Sequence, residues 1–237
     1  NLSIIVNDTA NFSAGDEILI FQARNYSAGI AGQYEFVKVA SIAGNAITLQ
    51  TPLNKTYYAV SLASINNTVT QVVQVPQYTT VVVNSGASIT APPFSNLTGG
   101  VIAFKATGSV SLAGSINASE KGYRGAPNYT SGGDYSRGYI GESEAVGCIG
   151  YRNATYASVE GAGRGSGGGA GCGFDGGAGG SYGTFGSNGT LGSAPCSAGN
   201  FARTGALIGN ATLSIAPFGG SGGASGSHGG SGRNGAI

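Results

Sequence analysis

Tyr34-Glu-Phe-Val-Lys-Val39, then Gly44-Asn45, then Ala46-Ile-Thr-Leu-Gln50 is the stretch that decides the fold of this chain. Both outer runs are short and rich in Val, Ile, Thr and aromatic residues, the composition that fits a pleated, half-buried surface. Gly44 and Asn45 both tolerate positive φ, so the pair reads as the turn of a hairpin. Outward from this point the same grammar recurs over 18–21, 69–75, 79–83, 101–105 and 109–112. Gly15-Asp16 marks a turn just before the first of these. Strands that follow one another at roughly 8–12 residues suggest a sandwich, barrel or solenoid. No run of about ten residues carries 3.6-residue apolar spacing with a cap, so no helix is expected. The expected fold is all-β, a β-sandwich or jelly roll, with a β-solenoid as the alternative.

Glycine divides the chain. Residues 1–121 hold 9 of the 45 glycines and residues 122–237 hold 36. The first part is expected to be a strand-rich β domain, and 122–237 a glycine-rich region that packs on or completes the same fold. Glycine does not recur at every third position, so the tract is not collagen. Cysteines, tyrosines and glycosylation motifs interleave with the glycines, unlike a plain Gly/Ser spacer. Glycine lets backbones approach closely and adopt φ values closed to other residues. The expectation is therefore a long, ordered loop region, with the apolar islands 206–208 and 213–218 returning to the core. Tyr123, Tyr129, Tyr135, Tyr139, Tyr151, Tyr156 and Tyr182 punctuate it. They read either as fillers of the space that glycine leaves or as a sugar-binding surface, since aromatic rings stack on sugars and keep a polar tip.

Twelve of the seventeen asparagines stand in Asn-x-Ser/Thr: Asn1, Asn7, Asn11, Asn25, Asn54, Asn66, Asn96, Asn117, Asn128, Asn153, Asn188 and Asn210. Random placement of this composition would give roughly three. Each is an acceptor for a bulky, polar N-linked glycan on solvent-facing backbone. The excess points to a chain that passes through a secretory glycosylation system and works at the cell exterior. Charged residues make up only 9% of the chain, 11 basic and 10 acidic. Charge cannot carry solubility as it does in ordinary domains; glycans, or burial against copies of the same chain, are expected to do so. The near-neutral balance excludes a basic footprint for nucleic acid. No apolar run reaches the eighteen or so residues of a membrane span. The absence of Met, even at position 1, places the numbering after a processing step or inside a longer chain, consistent with a removed signal peptide.

Cys148, Cys172 and Cys196 are the disulfide candidates, and their pairing stays open among three choices. An oxidising exterior favours one bridge and one remaining thiol. Metal binding is not expected, because Cys-x-x-Cys spacing is missing and His228 is the sole histidine. Asp134, Glu142 and Glu144 are hard oxygen ligands on a loop-rich segment, the type calcium takes. They lack the repeated spacing of a calcium loop, so no cofactor is expected and a structural calcium is the weaker alternative. The match Gly219-Gly-Ser221-Gly-Gly223 lacks the strand, helix and acid partner of a nucleophile elbow. Gly163-x-Gly165-x-x-Gly168 likewise has no βαβ unit around it. No titratable constellation points to an enzyme.

Several segments carry a resemblance: Phe12-Ser-Ala-Gly-Asp-Glu-Ile-Leu-Ile-Phe-Gln22, Gly32-Gln-Tyr-Glu-Phe, Ser41-Ile-Ala-Gly-Asn-Ala-Ile-Thr-Leu, Val75-Pro-Gln-Tyr-Thr, Gly99-Gly-Val-Ile-Ala-Phe, Gly114-Ser-Ile-Asn-Ala-Ser and Gly122-Tyr-Arg-Gly. In this order they resemble a loosely characterised group of glycine-rich bacterial and archaeal surface proteins. The resemblance implies a strand-rich region followed by a glycine-rich tract and an extracellular location. Members of that group continue past a terminal turn into another apolar strand, whereas this chain stops at Asn234-Gly-Ala-Ile237. The chain opens on Leu2-Ser-Ile-Ile-Val6. If Leu2, Ile4, Ile5 and Val6 form a donor strand that completes the sheet of the next subunit, the contact is head to tail and builds an open filament. This resembles the donor-strand pili and threads of bacteria and archaea. The expected role is a structural subunit of a glycosylated archaeal cell-surface filament. Its partners would be copies of itself and covalent glycans. An adhesin or glycan-binding module is the alternative reading. Pairing of residues 1–8 within their own sheet is the simpler arrangement.

Overall fold

The computed structural model describes residues 1–24, 32–59, 68–95 and 98–123, together with the backbone of 151–152 and 158–159. The described residues are all-β and contain no helix. A five-stranded antiparallel sheet comes first, in the order β1-β4-β3-β2-β5. Its strands are β1 (Ser3–Ile5), β2 (Glu17–Arg24), β3 (Tyr34–Ala43), β4 (Ala46–Leu49) and β5 (Val69–Gln74).

The hairpin that opens the sequence argument is β3–β4, in which Ala43 pairs with Ala46. Of its two turn residues only Gly44 takes a positive φ, at 56°. Asn45 stays on the ordinary side, and its side chain donates to the Asn7 carbonyl at 3.4 Å. Gly15-Asp16 does turn the chain into β2. The Asp16 carboxylate accepts from the Ser13 amide at 2.8 Å, which is the bond that closes the turn.

β2 is the central strand and is buried from Ile18 to Arg24. Alternate side chains of a strand point to opposite faces, so β2 feeds two cores. Ile18 and Ile20 join Val37, Val39, Ile47 and Leu49 on one face. Leu19, Phe21 and Ala23 join Val69, Val75, Phe94 and Tyr123 on the other. This double burial is why β2 reads as a continuous apolar run rather than an alternating one. The first core also takes in Ile4 of β1 and Val72 of β5. Flat, a five-stranded sheet would hold its outer strands about 19 Å apart. Here β1 and β5 line one common groove, so the sheet curves toward that face.

The second core is closed by the chain from Val75 to Tyr123. Phe94 and Tyr123 meet edge to face with centroids 5.5 Å apart, and the Tyr123 hydroxyl donates to the Ala23 carbonyl. Tyr123 lies beyond residue 121, so this core runs past the position where glycine content changes.

Between these anchors the chain makes two stacked turns. The first holds β6 (Gln77–Tyr78), β7 (Val81–Val83) and β8 (Ser88–Thr90), and the second β9 (Lys105–Ala106), β10 (Val110–Leu112) and β11 (Ser115–Asn117). Each strand pairs in parallel with its counterpart: Gln77 with Lys105, Val81 with Val110 and Ser88 with Ser115. The offset of 27 to 29 residues is one full circuit of chain. Gly114 makes the stacking close, since a Cβ there would lie 2.3 Å from the Ala87 carbonyl oxygen.

Three sequence expectations change. The strand expected over 101–105 shrinks to Lys105–Ala106; Val101 and Ala103 pack on the second core without a ladder of their own. The strand expected over 79–83 begins later, at Val81, and is preceded by the separate short strand Gln77–Tyr78. The strands Ser88–Thr90 and Ser115–Asn117 were not anticipated, because each is only three residues long and carries no alternation of buried and exposed positions to read. Beyond 123, Tyr151–Arg152 (β12) pairs antiparallel with Ser158–Val159 (β13).

Candidate functional site

Two surfaces stand out, and both follow from how the sheet is left open. The first is the seam. β1 pairs through three residues with β4: Ser3 with Thr48, Ile4 with Ile47 and Ile5 with Ala46. Flanking bonds run the same way, from the Leu49 amide to the Leu2 carbonyl and from the Val6 amide to the Asn45 carbonyl. Among the described residues, neither the outer edge of β1 nor that of β5 has a strand partner. Between them lies a groove of about 570 Å³, floored by Phe12, Ile20, Leu53 and Tyr57. Unpaired edges of this kind are templates for another strand.

The donor-strand residues thus sit within their own sheet. Ile4 and Val6 point to the first core, Ile5 faces outward at 76% exposure, and Leu2, just before the strand, is also exposed. The alternation is that of an edge strand with one buried face.

A polar clamp closes the far end of the seam. Gln22 is fully buried. Its Nε2 donates to the Tyr58 carbonyl at 2.9 Å and its Oε1 accepts from the Tyr58 amide at 2.9 Å. Both needs of the side chain are met by backbone, as burial of an amide requires. Gln71 makes the same two-way clasp on Gly99, at 3.2 and 3.0 Å. Tyr57 beside it is different: its buried Oη meets no partner at full hydrogen-bond geometry, and the Glu35 carboxylate is only a weaker acceptor for it. Burial pushes its phenol up from the ordinary value, and the nearby Glu35 carboxylate pushes the same way.

The second surface is an apolar cleft of about 660 Å³ on the opposite face of the sheet. Tyr34, Phe36, Ile102, Phe104 and Ile116 line it. Tyr34 and Phe36 project from the exposed side of β3 and meet edge to face at 5.9 Å. Lys105 lies over Phe36 at 4.6 Å while its ammonium pairs with Glu17 at 2.6 Å. Glu17 also accepts from Gln77 at 2.7 Å, so one carboxylate ties both stacked turns to the sheet. The sequence placed Tyr34 and Phe36 in a strand without marking their outward side. The signal was the alternation of Tyr34, Phe36 and Lys38 with the buried Val37 and Val39.

Of the sequon asparagines, Asn1, Asn7, Asn11, Asn54 and Asn117 are described, and all five are exposed. The Asn117 side-chain oxygen accepts from the Ser119 amide at 2.9 Å, a local turn across the sequon. Asn54 Nδ2 contacts the Glu35 carboxylate at 3.4 Å. Asn25, Asn66, Asn96, Asn128, Asn153, Asn188 and Asn210 lie outside the described residues. So do Cys148, Cys172, Cys196, Asp134, Glu142, Glu144, His228, Tyr129, Tyr135, Tyr139, Tyr156 and Tyr182. Tyr123 is a space-filling core residue. Among the described residues no cluster of His, Cys, Asp and Glu could hold a metal ion, and no helix is long and apolar enough to cross a membrane.

No protein family, curated protein or solved structure matches this chain.

Proposed function

We propose that the chain is a structural subunit of a secreted, N-glycosylated filament at the cell surface, assembled head to tail by exchange of its N-terminal strand. The fold behind it is a curved sheet extended by a short β-solenoid, in preference to a sandwich. One observation carries the reading: β1 is an edge strand held by three residue pairs beside an open seam. Its seat on β4 is an acceptor that any copy of the same strand fits. A neighbour's β1 would make the same ladder with β4 and place Ile4 and Val6 in the same core. Nothing in the bonding distinguishes the two arrangements, as in other swapped assemblies. The turn at Asn7-Asp8 is the natural hinge. Exchange leaves Asn1 and Asn7 as exposed as before, so glycans on both remain compatible with assembly. The low charge and the dense sequons fit a surface solvated by sugar.

The test is removal of residues 1–8 from the full chain, with electron microscopy and sedimentation as readouts. Loss of polymers with a folded monomer remaining is expected. Persistent polymers would sink the reading. An excess of a synthetic peptide of residues 1–8 should shorten filaments of the intact chain by capping the exposed acceptor.

A second reading, a cell-surface adhesin or glycan-binding module, is favoured by the aromatic cleft. Tyr34 and Phe36 are rings on a rigid strand, the platform on which sugar faces stack. A monomeric protein that binds glycans, and loses binding on Phe36→Ala, would move the weight to this alternative.

A further inference from the structure

Ile5 is the most exposed large apolar side chain among the described residues. Its exposure has a geometric cause. The Leu49 amide donates to the Leu2 carbonyl, and the Val6 amide to the Asn45 carbonyl. In an antiparallel ladder, alternate residues turn their backbone groups to the same side. Ser3 and Ile5 therefore direct N–H and C=O away from β4, toward the edge that has no strand partner among the described residues. Side chains alternate too. Ile4 and Val6 pack on the first core, so Ser3 and Ile5 stand on the outer face. An apolar side chain beside an open edge invites the pairing of a foreign strand, and natural edges are blunted by charge, proline, a bulge or a cover. Residues 1–7 hold no charged side chain and no proline. The pairing of β1 with β4 shows no register shift, so it has no bulge. Of these devices, a cover is what is left.

The segment holds a sequon at either end. Asn1 and Asn7 share the parity of Ser3 and Ile5, and both are exposed. Residues two apart on one face of a strand stand about 7 Å apart, and residues four apart about 14 Å. Asn7 is thus the nearer to Ile5. Its backbone carbonyl accepts from Asn45 at 3.4 Å. The hydroxyl of Thr9, the third residue of the sequon, donates to the Gly44 carbonyl at 2.9 Å. Both bonds fix the sequon to the β3–β4 turn and leave the Asn7 side-chain amide outside the network of the described residues. Asn54 and Asn117 differ, since their side chains are engaged by Glu35 and by the Ser119 amide.

We infer that the N-linked glycan of Asn7 folds back along the outer face of β1, with the C–H face of its first sugar ring over Ile5. The inference rests on the glycosylation reading above and is independent of strand exchange. Attachment forms one bond, from Asn7 Nδ2 to C1 of the sugar. One Nδ2 proton and the lipid-diphosphate leaving group of the sugar donor depart. A ring placed there takes the Ile5 side chain out of water. It also fills the space where an added strand would set its side chains, about 5 Å from Ile5 and Asn7. The outer edge of β1 is then closed to a further strand, while its seat on β4 is untouched. This glycan is a specific guard of one edge as well as part of a solvating coat.

The experiment uses the full chain from a glycosylating host. Peptide mapping first reads occupancy at Asn7, which is expected to be glycosylated; a bare Asn7 would overturn the inference together with the glycosylation reading at that site. Asn7→Gln is then compared with the parent and with Asn11→Gln, which removes a neighbouring sequon that is not on β1. Asn7→Gln should bind about threefold more of an apolar fluorescent dye and sediment faster as amorphous aggregate, the behaviour of an uncovered apolar patch. Asn11→Gln should match the parent. Adding Ile5→Thr to Asn7→Gln should return dye binding to the parent level. An occupied Asn7 whose loss leaves dye binding unchanged would overturn the placement and leave glycosylation standing. Failure of Ile5→Thr to restore the parent level would overturn it as well. A variant-free reading covers the case in which Asn7→Gln loses its strands. Nuclear Overhauser contacts between the Ile5 methyl groups and protons of the first sugar ring are expected in the intact glycoprotein, and their absence would overturn the placement.

Discussion

Gly114 is the residue on which the stacked turns depend. A Cβ there would meet the carbonyl oxygens of Ala87 at 2.3 Å and Asn84 at 2.4 Å, both backbone atoms with no freedom to yield. Gly86 is the natural control, with a φ of 81° and open space where a Cβ would go. Gly86→Ala should cost about 1–2 kcal/mol, the strain of left-handed backbone. Gly114→Ala should cost at least as much as overpacking, about 1–3 kcal/mol, and should also loosen β10 and β11. Urea midpoints give the ranking, and amide exchange shows where the loosening falls. Tyr57 supplies a second test. Burial and the Glu35 charge hold its phenol protonated above the ordinary value of 10.0. The folded state therefore keeps a proton that the unfolded state loses, and stability falls as pH rises past about 10. Its contribution is fully present below that pH. Because the Tyr57 hydroxyl meets no partner at full hydrogen-bond geometry and has only the Glu35 carboxylate as a weaker acceptor, Tyr57→Phe should be tolerated near neutrality. The variant's melting temperature should fall less steeply than the parent's between pH 9 and 11, which thermal scans across that range would check.

At the scale of elements, β1 and β2 are opposites. β2 is covered on both faces and pairs on both sides, with β3 and β5. β1 has one partner and one buried face. Local opening draws on the least buried parts of a fold. Amides of β1 should therefore exchange at least 100-fold faster than those of β2 under native conditions, a gap of about 2.7 kcal/mol. Equal protection would mean that β1 leaves its seat only on global unfolding, which would make exchange between subunits slow. The same contrast explains what was legible. The strands at 18–21, 34–39, 46–50 and 69–75 declared themselves because each is four residues or longer with a one-sided or wholly apolar face to read. β8 and β11 did not, since a three-residue strand exposed at two of its positions, as β8 is, has no periodicity to read.

For the whole molecule, the dominant question is what keeps it in solution. With 21 charged residues among 237, the described surface leaves Leu2, Ile5, Val82, Leu112 and other large apolar residues exposed. If the sequons carry the proposed glycans, their enzymatic removal should leave strand content unchanged by circular dichroism but raise light scattering within hours. A deglycosylated protein that stays monomeric would show that sugar is not what solvates it.

Composition and local pattern by themselves determined that the described residues are all-β, where their hairpin turns, and which asparagines stand in acceptor motifs for glycans. These are local properties: side-chain shape selects the strand, glycine selects the turn, and a sequon is three residues long. Tertiary structure alone decided that the sheet curves until β1 and β5 share a groove, and that residues 77–90 and 105–117 stack in parallel. It also decided that Tyr34 and Phe36 line a cleft while Tyr123 fills a core. Each of these rests on contacts between residues far apart in sequence, such as Tyr123 with Ala23 across 100 positions. Chain closure of that kind leaves no local signature, because its free energy comes from burial that exists only once both partners are in place.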